Sequence, residues 1–124
     1  MKLDAIGIVS KDMKESIRFY RLLGLDFPDS EEDHIEATTP AGLRVMLDSE
    51  DLIKQIDPQW VKPLGHGTML GFLCESPQHV DEAFRKITSS GFKAKKEPWN
   101  AFWGQRYASV LDPDGNAVDL FAPL

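Results

Sequence analysis

The stretch Pro113-Asp114-Gly115-Asn116-Ala117-Val118-Asp119-Leu120 has a counterpart earlier in the chain, Pro40-Ala41-Gly42-Leu43-Arg44-Val45-Met46-Leu47. The two align residue for residue, each a Pro-x-Gly turn running into an alternating strand. Working outward, a second pair of segments matches. Ala5-Ile6-Gly7-Ile8-Val9 leads through a polar opening into a helical pattern that ends at Gly24. Met69-Leu70-Gly71-Phe72-Leu73 leads through Ser76 into a helical pattern that ends at Gly91. Two copies at slightly different spacing indicate a duplicated module whose loops have taken small insertions.

Each copy reads as strand, helix, then three strands. The first helix opens at Asp12, with Glu15 three residues on as in a capping box, and carries Met13, Ile17 and Tyr20 on one face. The second opens at Ser76 with Pro77 in the first helical position, and carries Val80, Phe84 and Ile87. Strands are expected at 25–27, 34–38 and 43–47 in the first copy. In the second they are expected at 92–96, 106–111 and 117–121, the last two joined by the turn Asp112-Pro113-Asp114-Gly115-Asn116. The fold class is therefore α+β, in one domain of two repeated modules: residues 1–48, a connector 49–66, and residues 67–124. The connector holds Leu52, Ile53, Ile56, Trp60 and Val61 between Pro58 and Pro63 or just before them, so it is expected to form a short helical turn and an extended piece that covers apolar surface.

The 124 residues are 42% hydrophobic and 27% charged, which suits one soluble globular domain and excludes a disordered chain. The formal net charge of −6 argues against nucleic acid, whose affinity rests on cations displacing counterions, and favours neutral or cationic small ligands. The lone Cys74 excludes an internal disulfide and a Cys-rich zinc site, and reads as a small core residue. Lys2 and Asp4 interrupt what would be a signal run, and no apolar stretch approaches membrane-spanning length, so a cytoplasmic protein with no membrane partner is expected.

The duplication, the Ser16-x-x-Phe19-Tyr20-x-x-Leu23-Gly24 segment and the closing Asp112-Pro113-Asp114-Gly115-Asn116-x-x-Asp119-Leu120 together resemble the vicinal oxygen chelate superfamily, which includes glyoxalase I, extradiol dioxygenases and the bleomycin and mitomycin resistance proteins. The resemblance covers nearly the whole chain. It implies two βαβββ modules, each a curved mixed sheet around a half-open cavity with helices outside, and commonly a homodimer. It also implies four metal-ligand positions on the first and last strands of the modules, typically His and Glu. Here those positions are Ala5, Met46, Met69 and Asp119. Alanine and thioethers give a hard or borderline divalent ion nothing to bind, so no cofactor is expected and no catalytic residue is assigned.

Strand alternation places Arg44, Met46 and Asp48 on the cavity face of one strand and Ala117, Asp119 and Phe121 on that of another. Ala5, Gly7, Met69 and Gly71 leave room there. The segment Trp99-Asn100-Ala101-Phe102-Trp103 concentrates three large aromatics in a loop. Trp99 and Phe102 are candidates for stacking a planar ligand, and Trp103 for shaping the loop. The candidate ligand-binding set is thus Arg44, Met46, Asp48, Met69, Trp99, Phe102, Trp103 and Asp119. Arg44 or Arg106 can steer an anionic group, and pairing of Asp119 with Arg44 is the structural alternative. Of the three histidines, His79 reads as solvent-facing, His34 can face either way, and His66 has the wrong strand parity for a ligand.

The preferred expectation is a metal-free protein that sequesters an organic, cationic aromatic ligand, as the antibiotic-binding members do. The alternative is a metal-dependent glyoxalase-like lyase or dioxygenase with displaced ligands, built on Asp119 and one or two histidines. A third reading is an assembly partner whose cavity is filled by Trp60 or Phe121.

Overall fold

The structure is a computed structural model describing residues 1–124. The chain forms two compact units, Met1–Leu64 and Gly65–Leu124.

In the first unit, β1 (Ala5–Ser10) leads into α1 (Met13–Leu22), followed by β2 (His34–Thr38), β3 (Arg44–Ser49) and α2 (Glu50–Ile56). The sheet order is β1-β3-β2, with β1 parallel and β2 antiparallel to β3. The Asp12 carboxylate accepts the Glu15 amide at 3.2 Å and caps α1. Ile8, Val45, Leu47, Ile35 and Ala37 project from one face of the sheet and are buried with Ile17, Phe19 and Tyr20 of the helix. Inside this core the Ser10 and Ser16 hydroxyls pair at 2.6 Å, so two buried polar groups satisfy each other.

The strand expected at 25–27 does not form, and this copy contributes three strands where four were expected. Its backbone is spent locally. The Leu25 amide donates to the Tyr20 carbonyl, the Phe27 amide to the Leu25 carbonyl, and Arg21 Nε to the Phe27 carbonyl. Pro28 then has no amide to offer a neighbour. The apolar alternation was real but serves packing: Phe27 is fully buried, edge-on to Tyr20 at 6.4 Å.

The expected helical turn after the first module is α2, capped by the Ser49 hydroxyl and packed against β1 and β3. The apolar residues of that stretch do not all cover something. Leu52, Ile53 and Trp60 are half-buried, whereas Ile56, Val61 and Leu64 are exposed.

The second unit runs β4 (Leu70–Leu73), α3 (Pro77–Ser89), β5 (Lys93–Ala101), β6 (Gln105–Leu111) and β7 (Ala117–Pro123), in the order β4-β7-β6-β5 with β4 parallel to β7. Ser76 caps α3 with Pro77 in its first turn. Val80 and Ile87 of the helix are buried with Val110, Ala108, Val118, Leu120 and Ala122 of the sheet. The turn into β7 is built on buried Asp112, which accepts the amides of Asp114 and Asn116 at 2.9 and 2.8 Å. Cys74 is buried at the end of β4, where burial pushes its thiol pKa up.

β5 is longer than expected, running through Ala101, with two irregularities in its pairing to β6. The aromatic segment is therefore no loop. Trp99 lies within an edge strand, and only Phe102, Trp103 and Gly104 form the tight turn to β6, with Gly104 at φ +94°. Pro98 is tolerated because β5 is an edge.

Candidate functional site

The open face of each sheet carries the candidate residues, and the two faces differ in chemistry. In the first unit the cross-strand register puts Arg44 beside Ala5 and Thr38, Met46 beside Gly7 and Glu36, and Asp48 beside Val9 and His34. The expected alternation on this strand holds: Val45 and Leu47 are buried, while Arg44, Met46 and Asp48 are half-buried on the opposite face.

A charged ladder crosses that face. Arg44 donates to Asp4 Oδ2 from Nε and Nη2 at 3.1 and 2.9 Å, and to Glu36 Oε1 at 2.7 Å. The His34 ring follows, with Nε2 at 2.8 Å from Glu36 and Nδ1 at 2.5 Å from Asp48. The hydrogen bond to Asp48, and secondarily that to Glu36, holds the His34 pKa above its ordinary value. The guanidinium of Arg44, with His34 next, holds the Glu36 carboxyl below its own. Arg44 is thus committed to two carboxylates of its own unit, and its availability to steer an anionic ligand is reduced accordingly. The histidine left free to face either way by its sequence context joins this face.

In the second unit Trp99, Tyr107, Phe121 and Leu73 form one cross-strand row, and Lys96, Ser109, Asp119 and Gly71 the next. Asp119 is 8% exposed. Its two oxygens accept from the Tyr107 hydroxyl at 2.6 Å and the Ser109 hydroxyl at 2.5 Å. The alternative pairing with Arg44 gives way to these partners. Burial, and secondarily the bond to Asp119, pushes the Tyr107 pKa up to about 12, so it stays a protonated donor at neutral pH.

The Tyr107 ring stacks on Phe121 at 6.0 Å and meets Trp103 edge-on at 5.2 Å. Trp103 in turn meets Trp99 at 5.5 Å and Phe102 at 4.9 Å, both edge-on. The indole of Trp103, expected to shape the loop, is the hub of this chain of rings, and its N–H is fixed by Gln105 at 2.7 Å. Phe102, at the turn, is 90% exposed. The Lys96 ammonium lies 5.0 Å from the centre of the Trp99 ring, so a cation already rests against this indole. Met69 lies just before β4 and is half-exposed. Arg106 points to the helix side and grips Asp81 with two nitrogens at 2.8 and 3.1 Å, which excludes it from the open face.

Tyr107 and Ser109 were missed as site residues because the side-chain direction on their strand was left open. The turn length contained the signal: a turn of 112–116 closes Leu111 on Ala117 and so sets Ser109 opposite Asp119.

The residues at the implied ligand positions do not fit a divalent metal. In the first unit these are a methyl and a thioether, and in the second a thioether and a carboxylate whose two oxygens already accept hydroxyl protons. No cluster of three or more His, Cys, Asp or Glu is arranged to hold an ion.

A duplicated strand–helix–strand unit, with first and last strands adjacent and parallel in each sheet and helices packed on one face, defines a two-module glyoxalase-type fold. The chain belongs to the Glyoxalase/Bleomycin resistance protein/Dioxygenase superfamily, whose sequence model matches residues 2–120. No curated protein matches the sequence. Among solved structures it is similar to a glyoxalase/bleomycin resistance protein/dioxygenase family enzyme from Burkholderia phytofirmans PsJN, at 18% identity and a TM-score of 0.87 over 100% of both chains. A glyoxalase-related enzyme from Fulvimarina pelagi is 16% identical with a TM-score of 0.83, over 98% of this chain and 87% of the other. A hypothetical protein from S. aureus is 18% identical with a TM-score of 0.80, over 94% and 89%. At these identities the likeness speaks for the fold. No helix is long and apolar enough to cross a membrane.

Proposed function

We propose that this protein binds an organic, cationic aromatic small molecule without a metal, in the manner of the bleomycin and mitomycin resistance members of its superfamily, and acts as a homodimer in the cytoplasm. The observation that carries the reading is the state of Asp119. Its family position is that of a metal ligand, yet it is held by two neutral hydroxyl donors beneath an open chain of aromatic rings. Neutral donors stabilise a carboxylate and leave its charge in place, so Asp119 can attract a cation that takes the place of Lys96 on the rings. The Lys96 ammonium against the Trp99 ring supports this reading, since a cation of the chain itself already rests on that indole.

Titration of the purified protein with bleomycin-like and mitomycin-like compounds, read by tryptophan fluorescence, tests the proposal. Saturable quenching that weakens in W99A is expected. No quenching by any cationic aromatic compound overturns it. Metal analysis of protein prepared without chelators checks the other half, since a stoichiometric ion at Asp119 contradicts metal-free binding. Light scattering of the purified chain checks the dimer.

A further inference from the structure

The Lys96 ammonium rests 5.0 Å from the centre of the Trp99 ring, and no carboxylate pairs with it. Lys96 shares its cross-strand row with Ser109 and Asp119, while Trp99 stands in the next row with Tyr107 and Phe121. Ser109 lies between Lys96 and Asp119 in that row, and the two Asp119 oxygens accept from Ser109 and Tyr107. The lysine leans along its own strand onto the indole instead. Of the other charged residues of β5, Lys93 stands further along, opposite Leu111, and Lys95 and Glu97 lie in the two irregular steps of the pairing. Lys96 is exposed, so swinging outward into water restores the rotamer freedom that the contact with Trp99 removes. The ammonium is thus held by one weak contact, at the ring from which the proposed ligand has to displace it.

We propose that Lys96 is the specificity-determining residue of this site, a tethered competitor that fills the cation position on Trp99 and yields only to planar ring cations. This deepens the reading above and rests on it. A simple amine offers the indole the same group that Lys96 already supplies. The tether gives that ammonium an effective concentration of about millimolar, so a free amine gains nothing below that range. A planar ring cation offers more, because its charge is spread and weakly hydrated and its face covers the indole. Lys96 therefore lowers the affinity of every ligand that takes Trp99, and only those with ring area to spare stay bound. A cation–π contact on an exposed indole favours the closed position by a factor of about two to five. Affinity scales with the fraction of protein whose ring is open, so removing the ammonium should tighten binding by about three- to sixfold.

The test is calorimetric titration of N-methylacridinium, a planar ring cation of fixed charge, into the full chain and into K96M and K96R at neutral pH. Methionine keeps an unbranched stem without the charge, and circular dichroism checks the fold of both variants. K96M should bind about three- to sixfold tighter than the wild type. K96R should bind more weakly than the wild type, because a guanidinium stacks on indole better than an ammonium does. Butylammonium should fail to displace N-methylacridinium from the wild type at submillimolar concentration. NMR of the free wild type should show the Lys96 side-chain methylene next to the ammonium shifted upfield by the indole ring current, and saturation with N-methylacridinium should remove that shift. Equal or weaker binding by K96M overturns the proposal, weaker binding meaning that Lys96 holds the ligand. So does tighter binding by K96R, displacement by submillimolar butylammonium, or the absence of the ring-current shift or its persistence at saturation. Failure of the wild type and K96M to bind N-methylacridinium, while other cationic aromatic compounds quench tryptophan fluorescence, overturns this inference alone. The same failure with no quenching by any such compound overturns the ligand-binding reading as well.

Discussion

Tyr107→Phe isolates one hydrogen bond to a buried charge. The hydroxyl lies 2.6 Å from Asp119 Oδ2, and the carboxylate is only 8% exposed, so water cannot freely replace the donor. The phenylalanine ring keeps the packing on Phe121 and Trp103, which leaves the apolar contribution nearly unchanged. A hydrogen bond to a charged group contributes about 1.5–3 kcal/mol, and a buried acceptor left short of a donor sits toward the upper end. A loss of about 2 kcal/mol is therefore expected, or roughly a 30-fold drop in the folding equilibrium constant. Ser109→Ala removes the other donor, at 2.5 Å from Oδ1, and should cost a similar amount. The double variant should lose more than the sum, because Asp119 then has no hydroxyl partner, and adding Asp119→Asn should recover part of the loss. Urea unfolding followed by circular dichroism measures all of these. If Tyr107→Phe alters stability by less than about 0.5 kcal/mol, the carboxylate is hydrated or differently held, and the account of this site fails.

Three further outcomes follow from the same contacts. Phe27→Ala should cost about 3–5 kcal/mol in unfolding experiments, since the ring is fully buried although its segment forms no strand; a cost below about 1 kcal/mol would place that segment outside the core. A Cβ on Gly71 would come within 3.1 Å of the Phe121 ring, whereas one on Gly7 would meet Met46 Cε at an ordinary 3.5 Å. Gly71→Ala should thus cost about 1 kcal/mol and perturb the near-ultraviolet aromatic signal, while Gly7→Ala should gain about 0.4–1 kcal/mol; equal melting temperatures would refute the difference. Because the folded His34 pKa lies above its unfolded value, its contribution to stability is complete below the ordinary histidine pKa and disappears as pH rises through the raised one. The melting-temperature advantage of wild type over H34Q should shrink across that window, and a constant or growing advantage would contradict the ladder.

Most of the fold was legible because its signals are local. Asp12 and Ser76 cap the helices that their spacing announces, and the alternation of 43–47 correctly sorted Val45 and Leu47 from Arg44, Met46 and Asp48. The strand at 25–27 misled because an apolar residue every second position does not show where the backbone amides go, and here they turn back on α1. The aromatic segment misled in the opposite direction. Proline, asparagine and glycine suggested a loop, but an edge strand tolerates proline and absorbs the irregularity as bulges. The partners of Asp119 and of His34 come from neighbouring strands, so they depend on register, which a single strand's pattern does not contain.

The two open faces solve the same desolvation problem in different currencies. In the first unit each carboxylate is met by a full positive charge, Arg44 or His34, so the attraction is large but the face is nearly neutral, and one of its cations is removable by pH. In the second, Asp119 is met by dipoles alone, and its charge survives under the rings of Tyr107 and Trp103. A divalent ion at Asp119 would have to displace two short hydroxyl bonds and would find no second nitrogen or oxygen donor at Met69. An organic cation faces no such demand. It requires a polarisable surface and a nearby negative charge, it can keep part of its own hydration, and here it has only the Lys96 ammonium to displace from Trp99. The chemistry of Asp119 is therefore poorly suited to the ion that the superfamily position ordinarily holds, and this is the physical basis of the proposal that the rings receive an organic cation instead.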